Sequence, residues 1–245
     1  MDDPVLKSAE DLEQAAVYLR PDPAADILFD ACCGDGTVSA FFAPKVKMVV
    51  ACDTSMPLLK QAQELISERQ ALTNVSFREA DPEELPFPAG AFSLLCSRRD
   101  FQGFSDLDRV LAEFYRVLRW EGRMAFIDTL LPDDPAAAAF FQELNRLRDG
   151  GYGRAFTLGE WRQALASSPF RIDVSLTFQT TVSFPNWCRS ALLPAATSAR
   201  LRELWLGAPA GIADHFQLKT FAGEVESFVV RRILVFAFHP PKPSR

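Results

Sequence analysis

The 245-residue chain contains only two histidines, His215 and His239, and neither belongs to an HxxxH pair or a Cys/His cluster. No metal site built from imidazole and thiolate ligands is therefore expected. Cysteine is scarce too. Cys32, Cys33, Cys52, Cys96 and Cys188 form no CxxC pair, and their odd number gives no disulfide framework. They read as reduced thiols acting as small apolar side chains, mostly at strand ends. No apolar run approaches the roughly 20 residues that a membrane helix needs. The opening MDDPVLKSAEDL also lacks the cationic and apolar blocks of a secretory leader, so a cytoplasmic protein without a membrane partner is expected. Positive charge is not in surplus. The net charge of −6 offers no general attraction to phosphate backbones, which argues against nucleic acid as a partner. There is no GxSxG and no internal repeat, and His215 is too isolated to support a Ser/His/Asp arrangement.

What is present is organised around residues 27–36, ILFDACCGDG. The apolar start is long enough for a buried parallel strand and too short for a helix, and it breaks at Asp30 into small residues and glycines. Gly34 and Gly36 have no Cβ, so the backbone can turn sharply and approach a ligand, with a helix opening near Thr37. A strand, a glycine turn and a helix N-terminus together cradle a nucleotide or cofactor. The run 47–52 predicts a second strand ending at Asp53, and 74–80 a third ending at Asp81. In a parallel, doubly wound sheet a carboxylate at Asp53 lies beside the glycine turn, where it accepts both hydroxyls of a ribose. Asp81 is an acidic strand tip that a plain dinucleotide fold does not require. It suits the exocyclic amino group of an adenine, and an Asx turn before Pro82 is the other reading.

Helical spacing is predicted over 8–20, with Ser8 and Asp11 as a variant capping box, and from Ser55, which caps a helix carrying Pro57 in its first turn. Further helices are predicted from Leu107 to about Leu118, over 135–148, and over 157–167 with Thr157 and Glu160 as a capping box. Strands are predicted at AFSLLCS, at RMAFID, over 171–178 and over 227–238. The order βαβαβαβαβ followed by two last strands predicts an α/β fold, with a doubly wound, mostly parallel sheet and helices on both faces. The long stretch between the last two strands reads as a helical lid over the carboxyl ends of the strands. One domain is expected over 1–245, with 1–182 and 227–245 as its core and 183–226 as the lid.

These residues resemble the class I S-adenosylmethionine-dependent methyltransferases, and among them the subgroup related to the ubiquinone/menaquinone biosynthesis methyltransferases. FDACCGDG is similar to the LDVGCGTG-like first motif, VVACDTSMPLL to the segment holding the ribose acid, and FREADPEELPFPAGAFSLL to the region around the adenine and the start of strand four. EFYRVLRWEGRMAFID is similar to the helix and strand that usually read E-RVLKPGG and an apolar run. The resemblance runs from about Ala15 to the end. It implies a seven-stranded sheet with an antiparallel last strand, which fits SFVVRRILVFAF. It also implies S-adenosyl-L-methionine as cofactor and a small-molecule acceptor. Carried over residue by residue, it puts Asp30, Gly34 and Gly36 around the methionine part of the cofactor and Asp53 on the ribose. Thr54 falls beside the adenine, Asp81 on its amino group, Pro82 against its ring, and Ser97 near the sulfonium. The implied chemistry is in-line displacement, in which alignment alone can be worth about 7–11 kcal/mol. A base is needed only where the acceptor must lose a proton. No catalytic residue is assigned.

The chain departs from the family pattern at several positions. Cys32 replaces the first glycine of the turn and narrows the space over the methionine part, and Ser93 replaces the aspartate usual in strand four. Gln102 and Gly103 stand where relatives carry a histidine pair, and Tyr152 stands where another histidine is common. Only about 26 residues precede strand one, so either another chain covers the site or the cleft is more open. Asp100, Asp128 and Tyr152 are candidates for facing an acceptor. Phe184, Trp187 and Trp205 are candidates for lining its pocket, with core packing expected for at least one of them. Arg98 and Arg99 either attract an acidic acceptor or are a solvated pair. Three readings follow: methyl transfer, non-catalytic binding of the cofactor or another metabolite on the same fold, and nicotinamide oxidoreduction. CCGDGTVS lacks the third glycine of GxGxxG, which disfavours the last. The sequence leaves the acceptor and the oligomeric state open.

Overall fold

The structure is a computed structural model that describes residues 10–98, 106–148 and 155–242. Ser8, Arg99, Asp100, Gln102, Gly103 and Tyr152 lie outside the described residues. Five strands, β1 (Ile27–Ala31), β2 (Met48–Asp53), β3 (Val75–Glu79), β4 (Phe92–Arg98) and β5 (Leu118–Thr129), pair in parallel. They are followed by β6 (Arg171–Ser183), β7 (Lys219–Phe221) and β8 (Glu224–Phe238). β8 runs antiparallel between β5 and β6, giving the order β3-β2-β1-β4-β5-β8-β6. The seven strands on this path are those expected. The sheet has an eighth, because the short β7 folds back onto the start of β8.

Both faces of the sheet are covered, and β1 shows why. Leu28 and Phe29 are wholly buried and point to opposite sides, as successive strand residues must. Leu28 packs with Leu12 and Leu19 of α1 (Glu10–Leu19) and with Val38 and Phe42 of α2 (Thr37–Phe42). Phe29 stacks on Phe92 at 4.7 Å between centroids and meets Phe114 of α4 (Leu107–Val117) edge-on. α3 (Met56–Gln63) lays Leu59 and Ala62 against Ala51 and Cys33. α6 (Leu158–Ser167) adds Trp161, stacked on Phe126. The predicted caps form: Ser55 Oγ accepts from Leu58 N, and Thr157 and Glu160 make a reciprocal capping box.

The capping box expected of Ser8 and Asp11 involves Ser8, outside the described residues; Asp11 itself sits on the sheet-facing side of α1 and is nearly inaccessible to solvent. Its Oδ2 accepts from Arg98 Nε at 2.9 Å and from Arg232 Nη1 at 3.4 Å. The sixth strand runs past the predicted end at Phe178 to Ser183, because each further residue pairs with β8 up to Ser183 opposite Ser227. β5 stops at Thr129 opposite Arg232, so the part of β8 before Arg232 and its partner segment of β6 reach beyond the end of β5. On this extension sit α7 (Phe184–Arg189), α8 (Ala195–Leu206) and α9 (Ala210–His215), packed through Trp205, Phe216 and Phe228 against Phe141 and Leu144 of α5 (Pro135–Arg148).

Candidate functional site

The carboxyl ends of the parallel strands open into a cleft of about 860 Å3, located where the strand order reverses between β1 and β4. One side is built from strand tips. After β1 the chain turns through Cys32, Gly34 and Gly36 with φ values of 60°, 51° and 84°. Cys33 N donates to Cys52 O at 2.7 Å and Gly36 N to Cys33 O at 2.8 Å, which fixes the turn to β2. Asp53 completes this frame, its Oδ2 accepting from Gly34 N at 2.9 Å and its Oδ1 from Ser55 N at 2.8 Å. Burial raises the Asp53 pKa, and these backbone N–H groups offset part of the rise. Asp81 lies on the same cleft and closes an Asx turn through Glu83 N at 2.9 Å. Both sequence readings of Asp81 are thus compatible, since a carboxylate accepting one backbone N–H keeps acceptor capacity for a ligand.

Of the residues singled out from the sequence, Cys32, Gly34, Asp53, Thr54, Asp81 and Pro82 line this one cleft. Asp30, Gly36 and Ser97 lie behind its surface. Asp30 is wholly buried and accepts from Ser39 Oγ, and burial lifts its pKa to about 8. Gly36 caps α2, and a Cβ there would come within 2.9 Å of Ala62 Cβ, so this glycine lets α3 pack against the turn. Ser97 is wholly buried in β4.

The opposite side of the cleft is assembled from distant parts of the chain: Arg98 at the end of β4, Thr129 of β5, Phe141, Asn145 and Arg148 of α5, Trp187 of α7, and Phe228, Val230 and Arg232 of β8. Arg98 is buried and fixed by Asp11 rather than solvated. Trp187 lines the cleft, whereas Trp205 is core, stacked on Phe228 at 4.7 Å. Phe184 faces a second groove, outside this one. Asp128 does not reach the cleft wall. Burial pushes its pKa up to about 7, opposed by Thr129 N–H, by the Trp161 indole and by the Arg232 charge. Neither histidine is among the lining residues.

Sequence reasoning gave no role to two residues of the E-x-x-R segment in α4. Glu113 Oε2 accepts from Leu85 N at 2.8 Å, and Arg116 donates to the carbonyls of Phe87 and Leu85. They clamp the LPFP loop that follows Asp81, and the Arg116 hydrogen bond holds the Glu113 carboxyl below its usual range. Ser93 also gains an account. Its Oγ accepts from Ile27 N and donates to Ile27 O, tying β4 to the start of β1.

The sheet order, the antiparallel β8 and a cofactor-sized cleft at the switch point define a class I methyltransferase fold. Residues 28–122 match the methyltransferase domain family. The Bacillus subtilis methyltransferase YcgJ is 27% identical over 168 residues, which cover 69% of this chain and 66% of that protein. Its crystal structure superposes with a TM-score of 0.79 at 23% identity, covering 95% of this chain and 99% of that one. The demethylmenaquinone methyltransferase of Lactiplantibacillus plantarum is 30% identical over 118 residues, 47% of this chain and 50% of that protein. The chain thus spans about half of that relative and just under two thirds of YcgJ. Residues 28–122 are thus similar to the methyltransferase domain family, and the whole described chain shares the fold of YcgJ.

Proposed function

We propose that this chain moves a methyl group from S-adenosylmethionine to a small molecule, with the cofactor on the β1–β3 side of the cleft and the acceptor on the β4–β8 side. The observation that carries the proposal is the shared frame of Gly34, Asp53 and Asp81: a ligand there meets backbone at close range and two carboxylates at neighbouring strand tips. The donor set fits the cofactor, whose ribose hydroxyls and adenine amino group are hydrogen-bond donors. Asp53 would take the ribose hydroxyls, Asp81 the amino group, Thr54 and Pro82 the adenine ring, and the Cys32–Gly34 turn the methionine part. Asp30, Gly36 and Ser97 would support that turn from behind.

When bound, the cofactor supplies an electrophilic methyl carbon on a positively charged sulfur. The protein's part is to hold the acceptor in line at contact distance and to exclude water. Residues 183–226 are proposed as the lid for that purpose, mounted on a core of 1–182 and 227–245. With neither histidine in the lining, an acceptor that needs no strong base fits best. No described helix is long and apolar enough to cross a membrane. That and the net charge of −6 support a cytoplasmic enzyme acting on metabolites rather than nucleic acid.

Calorimetric titration with S-adenosylmethionine, S-adenosylhomocysteine and NAD tests the cofactor assignment, and binding of NAD alone would refute it. Incubation with methyl-labelled cofactor and a cell metabolite extract, followed by mass spectrometry, tests transfer. A labelled small molecule is the expected product.

A further inference from the structure

The two sides of the cleft carry opposite chemistry. Every carboxylate among the described lining residues, Asp35, Asp53, Asp81 and Glu83, stands at the tip of β2 or on the turns after β1 and β3. Every arginine, Arg98, Arg148 and Arg232, stands on the other side. Each guanidinium is held in place. Asp11 grips Arg98 and Arg232 from beneath. Arg148 donates through Nε to Trp187 O and through Nη2 to Ser190 Oγ, both at 3.2 Å, and lies over the Trp187 ring at 5.1 Å.

Asn145 adds an independent sign of a ligand. It lines the cleft, it is only 4% exposed, and its Nδ2 has no hydrogen-bond partner among the described residues. A buried donor left in this way is unfavourable unless a ligand accepts from it. Phe141, Asn145 and Arg148 follow each other at i, i+4 and i+7, so one face of α5 presents an aromatic ring, an amide donor and a cation to the same space. Trp187 and Phe228 extend the apolar wall.

We infer that the methyl acceptor carries an anionic group, carboxylate or phosphate, on a flat or apolar body, with Arg148, Asn145 and the Arg98–Arg232 pair receiving the anion and Phe141, Trp187 and Phe228 the body. This rests on the cofactor occupying the carboxylate side. It explains the segregation of charge: a cation near the adenosine or an acid near the acceptor would oppose the ligand proposed there. Donors fixed in advance by Asp11, Trp187 and Ser190 lose little entropy on binding.

The test uses the full chain saturated with S-adenosylhomocysteine and titrated calorimetrically with benzoate, phenyl phosphate, benzamide and benzyl alcohol. Benzoate or phenyl phosphate is expected to bind about tenfold or more tightly than the two neutral compounds, as charge-assisted hydrogen bonds require. The tighter of the two anions identifies the group. Arg148→Gln is expected to erase most of that preference, with a urea midpoint recorded to confirm folding, and the wild-type panel stands by itself should the variant not fold. Equal binding of neutral and anionic probes, no binding of any probe, or displacement of S-adenosylhomocysteine by the anions would overturn the inference. The first titration separates the two ideas: if S-adenosylhomocysteine binds and the anions fail, only this inference falls, and if it does not bind, the cofactor assignment falls first.

Discussion

The two sides of the cleft are made in different ways. The β1–β3 side is mostly backbone: a glycine turn hydrogen-bonded to the neighbouring strand and locked by Asp53, all within a short span of chain. The β4–β8 side is mostly side chains, brought together from α1, β4, α5, α7 and β8 and held by the pairing of Asp11 with Arg98 and Arg232 across 87 and 221 positions. A site made of backbone suits a ligand that never changes, such as a shared cofactor. A site made of side chains suits a ligand that differs from one protein to the next, because substitutions there leave the turn untouched.

That contrast can be broken experimentally. The largest expected effect belongs to Asp11→Ala, which removes the carboxylate shared by two buried guanidiniums. A loss of about 3–5 kcal/mol is expected in urea unfolding. Asp53→Ala comes next. It removes the acceptor of two backbone N–H groups and the proposed ribose ligand, and should weaken S-adenosylhomocysteine binding about 100-fold by calorimetry, roughly 2.7 kcal/mol.

Asp30 sharpens the comparison through pH. An unfolded aspartate ionises near pH 3.9, whereas in the fold Asp30 keeps its proton up to about pH 8 because it is buried. Between those values the folded chain binds the extra proton, so this stabilising contribution is full at low pH and is lost as pH rises from about 4 to about 8. Asp30→Asn removes the dependence. Its stability relative to the parent should rise by about 2 kcal/mol between pH 6 and pH 8, read from urea midpoints. The smallest effect is at Cys32, whose φ of 60° strains a residue with a Cβ. Cys32→Gly should change stability by less than about 1 kcal/mol, since relief of strain offsets added chain entropy, while Cys32→Val should cost about 2 kcal/mol. A thermal melt of both variants checks the order.

The β1–β3 side was legible because its signals are local. A strand tip, a glycine pair and an acid at the end of the next strand follow from short patterns, and parallel pairing brings them together by rule. The other side was less so. Nothing near Arg98 in the sequence announces Asp11 as its partner. A signal was there to be read: Asp11 shares a helix face with Ala15, and Arg232 falls between Val230 and Leu234 on the inward positions of β8, so both charges lie on buried stripes. A charge on such a stripe demands an opposite one. Which one it finds is decided only by the packing of α1 on β5 and β8. The reach of β6 to Ser183 was hidden for a similar reason, since its edge residues are largely exposed and its length is set by β8.

The chain leaves the β6–β8 ladder after Ser183, passes through α7 to α9 and β7, and rejoins that ladder at Ser227, the residue facing Ser183. A graft that departs and returns through facing partners can be lengthened, trimmed or swapped without shifting any strand by a single step. On the proposed reading, Trp187 then gives the acceptor side one wall that can be exchanged while the paired strands stay assembled.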